Sequence, residues 1–118
     1  MIAVAIVGVL LAAGLELRWM HRKYREYATR ASFHSYCERL YSESAARDLM
    51  LEANRRSKFE KYGQAGFDDW VLRLADRNGR NAAKYTLWAD YNVRMKSKYV
   101  AAMRRPWLPV EPDPPEPE

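Results

Sequence analysis

The sequence predicts an all-α protein: an N-terminal apolar helix that crosses a membrane once, continues into an antiparallel, coiled-coil-like helical hairpin, and ends in an extended proline-rich tail. Three observations carry this expectation. Residues 2–15 hold no charge and no proline. Residues 18–61 contain neither glycine nor proline and are rich in helix formers. Every proline of the chain lies at or beyond Pro106. The expected organisation is 1–20 as the anchor, 21–105 as the hairpin with its turn near 63–67, and 106–118 as an acidic polyproline II tail.

The apolar run is rich in Val, Ile, Leu and Ala. A span of the hydrocarbon core takes roughly 20 residues, with about 17 as the lower limit, so this one is short. Leu17, Trp19 and Met20 lengthen it by about a turn, and Trp19 suits the interfacial belt. Arg18, Arg22, Lys23 and Arg25 then form a basic collar suited to anionic headgroups. These four, with Trp19, are the expected lipid contacts. Because lysine and arginine follow the run and none precedes it, the positive-inside rule places the body in the cytoplasm. The alternative is export, with the leader cleaved as a signal peptide, whose apolar core is typically only about 7–15 residues long. Against it stand the lack of a preceding positive charge and the helical sequence that follows Ala12-Ala13-Gly14. Gly8 and Ala12, four apart, form a small-xxx-small pair through which two anchors can approach.

Beyond the collar, Tyr24, Tyr27, Ala28, Ala31, His34, Tyr41, Ala45, Leu49 and Ala53 trace one helical stripe. Phe33, Cys37, Leu40 and Leu51 trace a second beside it. Nothing interrupts this pattern at the membrane boundary, so anchor and helix read as one rod. Gly63-Gln64-Ala65-Gly66 is the clearest break, and Asp68 or Asp69 can cap the next helix. A short glycine link between long helices means an αα-hairpin. The return helix carries a three-then-four seam of Val71, Leu74, Asn78, Asn81, Tyr85, Trp88, Asn92, Met95, Tyr99 and Ala102. Asn78-Gly79 within it predicts a kink or short break at a locally exposed, weakly packed turn. Pro106 ends the helix. The tail after it is stiff and solvated, with Trp107 and Leu108 either folding back on the hairpin end or serving as the adhesive part of a peptide ligand.

Composition narrows the function. With 118 residues, some of them in leader and tail, the core is modest, and a single cysteine excludes an internal disulfide, which leaves a partner chain or a homo-oligomer to supply further stability. The net charge of +5 understates how basic the body is, because Glu111, Asp113, Glu116 and Glu118 all lie in the tail. Basic groups at Arg55, Arg56, Lys58 and Lys61, and at Arg94, Lys96, Lys98, Arg104 and Arg105, suggest a nucleic-acid-binding hairpin as an alternative. The aromatics needed to stack bases fall on the seam, and a ring that fills a core cannot also stack, so nucleic acid is disfavoured. His34 and Cys37, three apart, can reach one metal, but a stable site needs more ligands, and no cofactor is implied. A small enzyme using that pair would need a lowered cysteine pKa, with His34 as its only nearby base. Asp68, Asp69 and Asp76 are accounted for by a helix N-terminus. The chain reads as a non-enzymatic membrane-anchored interaction or scaffold protein, or an accessory subunit, with Tyr85, Trp88, Tyr99, Trp107 and Leu108 as expected partner contacts.

The opening MIAVAIVGVLL, the step Ala31, Phe33, His34, and the closing series Lys98, Tyr99, Ala102, Pro106, Trp107, Pro109, Val110, Pro112, Asp113, Pro114, Pro115 resemble a family of short, uncharacterised bacterial membrane-anchored proteins. That family has an apolar leader, a variable helical middle and a KYxxAxxxPWxPVxPDPP segment. The resemblance covers both ends and leaves roughly 40–86 unmatched. A second Ala-x-Tyr-His step stands here as Ala89-Asp90-Tyr91-Asn92, so no role is carried over to its histidine. The resemblance implies an anchor and a tail, and no activity, substrate or cofactor.

Overall fold

The computed structural model of the protein describes residues 1–62 and 68–118, and among these there is no strand. Two helices make the fold: α1 (Ile2–Tyr62, 61 residues) and α2 (Asp68–Arg104, 37 residues). The glycine turn expected at 63–67 lies outside the described residues. At about 1.5 Å per residue, α1 is roughly 90 Å long, which accounts for the longest dimension of the 94 × 19 × 14 Å molecule. The apolar N-terminal segment and the first hairpin helix are thus one rod. The two helices pack against each other in antiparallel sense, since Tyr27 stacks on Tyr99 while Tyr41 stacks on Tyr85 and Asp48 meets Asn78.

The faces that meet follow a 3.5-residue period. On α1 the buried or half-buried positions run Tyr27, Ala31, His34, Glu38, Tyr41, Ala45, Asp48, Glu52, Arg55, Phe59, alternating steps of four and three. That period keeps a seam facing its partner along two slightly supercoiled helices. The apolar stripe expected from the sequence departs from it after Ala45, because Leu49 and Ala53 continue in steps of four and drift off the seam. Leu49 is 54% exposed, and Phe33 and Leu40 of the second stripe also face outward. Asp48, Glu52 and Arg55 take the places that the apolar reading assigned elsewhere.

On α2 every expected seam residue is buried or half-buried. A row of small side chains beside it, Ala75, Ala82 and Ala89, is also buried, at 0%, 1% and 7% exposure. Alanine at seven-residue intervals lets the two backbones come close, since interaxial distance is set by the side chains at the contact. Near the anchor the contact is built from larger groups, with Tyr27, Ala31, Tyr91, Met95 and Tyr99 forming a buried cluster against which Trp88, Ala102, Met103 and Val110 pack.

No break occurs at Asn78-Gly79, where α2 is continuous. Asparagine disfavours helices when its side chain competes for nearby backbone groups. Here the side chain is committed across the interface: Asn78 Oδ1 accepts from Arg55 Nη1 at 2.6 Å and Nδ2 donates to Asp48 Oδ1 at 2.8 Å. Asn78 is buried rather than a loosely packed turn. Gly79 lies close to the Glu52 carboxylate, and a Cβ there, 2.8 Å from Oε2, would push the end of that side chain aside.

α2 ends as Pro106 requires. Arg105 N donates back to Ala102 O at 3.2 Å, and Leu108 N donates to Arg105 O at 3.0 Å, which turns the chain. Beyond Val110 there is no regular helix or strand.

The small-residue row sets a direct test of the packing. Ala82→Leu should destabilise the hairpin by about 1–3 kcal/mol through overpacking, measured by denaturant unfolding followed by circular dichroism, whereas the same change at exposed Ala83 should stay within about 0.5 kcal/mol.

Candidate functional site

The largest concentration of chemistry sits at the anchor end of the hairpin, where α1, α2 and the tail meet. Arg30 Nη1 donates to the Tyr99 hydroxyl at 2.8 Å, and that hydroxyl donates to Asp113 Oδ1 at 3.0 Å. Lys98 Nζ pairs with the same Asp113 oxygen. Four side chains from three segments therefore form one chain of donors and acceptors. Two are cations and one is a carboxylate, so the cluster holds the acidic tail by charge as well as by hydrogen bonds. The Lys98 hydrogen bond, followed by that of Tyr99, holds the Asp113 carboxyl below its ordinary value. The Tyr99 hydroxyl, as acceptor, raises the Arg30 guanidinium.

The cluster closes one end of an aromatic cleft of about 390 Å³. His34 stacks parallel to Tyr99 at 5.8 Å between centroids, Tyr41 stacks on Trp88 at 5.7 Å, and Trp88 meets the edge of Tyr91 at 5.9 Å. Asn92 fixes the histidine tautomer. Its Nδ2 donates to Trp88 O at 2.8 Å, which leaves Oδ1 toward His34 Nδ1 at 2.8 Å, so Nδ1 must carry the proton. Burial raises the Tyr91 phenol, with a further push from Glu116 of the tail.

Cys37 also lines the cleft, as a free thiol. Burial pushes its pKa up, which disfavours the thiolate that nucleophilic or metal chemistry needs. Among the described residues no group of three or more His, Cys, Asp and Glu side chains is placed to hold a metal ion. The cleft is a packed aromatic surface closed by an acidic strap.

The expected site residues fall in three places. Tyr99 is 3% exposed, and Tyr85 and Trp88 are half-buried; all three rings are contacts of one helix with the other, stacked on Tyr27, His34 and Tyr41. Their surface is spent inside the hairpin. Trp107 and Leu108 stand on the turn after α2, 58% and 46% exposed, outside the buried cluster, with Leu108 beside Ala101 and Ala102 of α2. Val110 makes the return contact instead. Arg18, Trp19, Arg22 and Arg25 are exposed on α1, while Lys23 is half-buried and paired with Glu26 at 3.3 Å.

Sequence reasoning placed Lys98, Tyr99 and Asp113 in one closing motif without predicting their contact, counted Arg30 only as a positive charge after the apolar run, and passed over Glu38. Glu38 pairs with Lys96 across the seam at 2.9 Å. A signal was present in the repeat itself, since a strict 3.5-residue count from Ala31 lands on Glu38.

No protein-family model, no curated protein and no solved structure matches the chain. The functional reading therefore rests on its own geometry.

The Asp113 cluster makes tail docking dependent on acid. A carboxyl whose native pKa lies below its ordinary 3.8 contributes docking in full above that ordinary value and loses it as pH falls through the native one. Nuclear magnetic resonance of the Tyr99 and Asp113 side chains should show the tail released on acidification below about pH 4, and Asp113→Asn should leave it released at neutral pH.

Proposed function

We propose that the protein is a membrane-anchored helical scaffold or accessory subunit without enzymatic activity, which holds a rigid hairpin at a bilayer surface for a partner chain or a second copy of itself. One observation carries this reading. The first part of α1 projects beyond the hairpin with its apolar side chains bare, among them Ile2 at 80%, Val9 at 68% and Leu15 at 66% exposure. It belongs to the one helix, among the described residues, that is long and apolar enough to cross a membrane. Bare apolar side chains on this scale call for lipid or protein cover. Because α1 is unbroken from Ile2 to Tyr62, whatever fixes the anchor also fixes the direction of the hairpin.

The basic collar supports a body on the cytoplasmic side. On the hairpin, Phe33, Tyr36 and Leu40 follow one another at helical spacing and stay exposed, at 61%, 63% and 44%. Phe33 stands at the rim of the aromatic cleft against His34, and with Tyr36 and Leu40 it forms the surface best suited to a partner helix. Lys98, Tyr99 and Asp113 fasten the tail to the hairpin end together.

Fractionation tests the proposal. The full chain should sediment with membranes, resist extraction by alkaline carbonate and be released by detergent, and removal of residues 1–17 should move it to the soluble fraction. Recovery of the full chain in the soluble fraction after gentle, detergent-free lysis would refute the anchor.

A further inference from the structure

The antiparallel register brings two separate parts of the sequence to one level. Tyr99 contacts both Tyr27 and Arg30, and each residue further along α2 lies about one residue earlier on α1. Arg104 therefore comes level with the stretch from Arg22 to Arg25, and the turn that follows stands at this end of the hairpin, with Leu108 turned back beside Ala101 and Ala102. Burial agrees with this register. Leu15, Leu17 and Trp19 are exposed, and half-burial of the larger side chains of α1 begins at Met20 and Lys23. On its way back the tail passes Lys23 and Tyr27 at Val110 and Glu111, around a shared surface depression.

The turn is thus the part of the second helix nearest the apolar projection, and its composition repeats that of the collar. Trp107 and Leu108 are exposed apolar side chains without a place in the hairpin core. Arg104 and Arg105 beside them are exposed, as are Arg18 and Arg22 on α1, and none of these four is in an ion pair among the described residues. An indole next to unpaired guanidinium groups suits the headgroup level of a bilayer, where the ring has an apolar and a wet side and arginine meets anionic lipid.

We propose that the turn at Arg104, Arg105, Trp107 and Leu108 is a second membrane contact, a wedge that enters the lipid interface beside Trp19 on the same side as the collar. This rests on the anchor reading and deepens it. Trp107 and Leu108, expected from the sequence to meet a protein partner, take lipid as their occupant. Two contacts on different helices would fix the hairpin against rotation about the anchor, which a single helix does not do.

Site-directed spin labelling of the full chain in vesicles containing one-third anionic phosphatidylglycerol tests the wedge. In a Cys37→Ser background, single nitroxides are placed through Leu108→Cys and Trp107→Cys, with Leu15→Cys reporting the anchor and Val93→Cys an exposed hairpin position, and circular dichroism confirms each fold. The expected result is strong oxygen accessibility and suppressed nickel-chelate accessibility at 15, 107 and 108, with the reverse at 93. Aqueous values at 107 and 108 with a lipid-exposed 15 would overturn the wedge and leave the anchor standing. Aqueous values at 15 as well would overturn both.

Discussion

The hairpin depends on a polar seam that is satisfied in one alignment of its helices. Half of the seam positions of α1, from Tyr27 to Phe59, are polar or charged, and four of these side chains find partners on α2: His34 with Asn92, Glu38 with Lys96, and Asp48 and Arg55 with Asn78. An apolar seam would gain more from burial but would tolerate a shift by a heptad. Polar seam groups left without partners cost about 1–3 kcal/mol each where they are buried, so slippage is penalised at several points together. Among the described residues no buried side-chain nitrogen or oxygen lacks a partner, which is the condition such a seam must meet. The rows of alanine supply close approach, and the polar pairs supply register.

Register in turn decides what stands at the anchor end. With Tyr99 against Tyr27 and Arg30, the C-terminus of α2 is delivered to the collar, and the tail is caught by Lys98 and Tyr99 through Asp113. Three segments distant in sequence are thereby tied at one place. In the proposed setting that place lies just above a bilayer, where the hairpin needs its firmest base.

Much of this was legible in the chain because its punctuation is strong. Absence of glycine and proline over 18–61 predicts the uninterrupted first helix, and Pro106 predicts the end of the second. The α2 seam could be read because aromatic and aliphatic residues mark it at Tyr85, Trp88, Met95 and Tyr99. On α1 the marks mislead in part: after Ala45, Leu49 and Ala53 drift to the outer face and Asp48, Glu52 and Arg55 join Phe59 at the interface, a choice made by partners on the other helix that hydrophobicity does not record. Asn78-Gly79 misleads for the same reason. Its local preference is for a turn, and its actual use is a cross-helix hydrogen-bond hub beside a close contact with Glu52. Proline and acidic residues dominate the tail and predict a solvated segment, yet Asp113 opposite Lys98 and Tyr99, with Val110 against the buried cluster, brings it back.

The central claim is that one continuous helix carries a rigid hairpin away from a membrane. From Trp19 to Tyr62, α1 reaches roughly 65 Å at about 1.5 Å per residue, and an anchor tilted by about 20° would shorten that height only slightly. Energy transfer from a donor attached at Tyr62 to acceptor-labelled lipids in a supported bilayer measures the height. The account predicts a hairpin tip about 60 Å above the surface; a tip within about 20 Å, the thickness of a hairpin lying flat on the lipid, would contradict it.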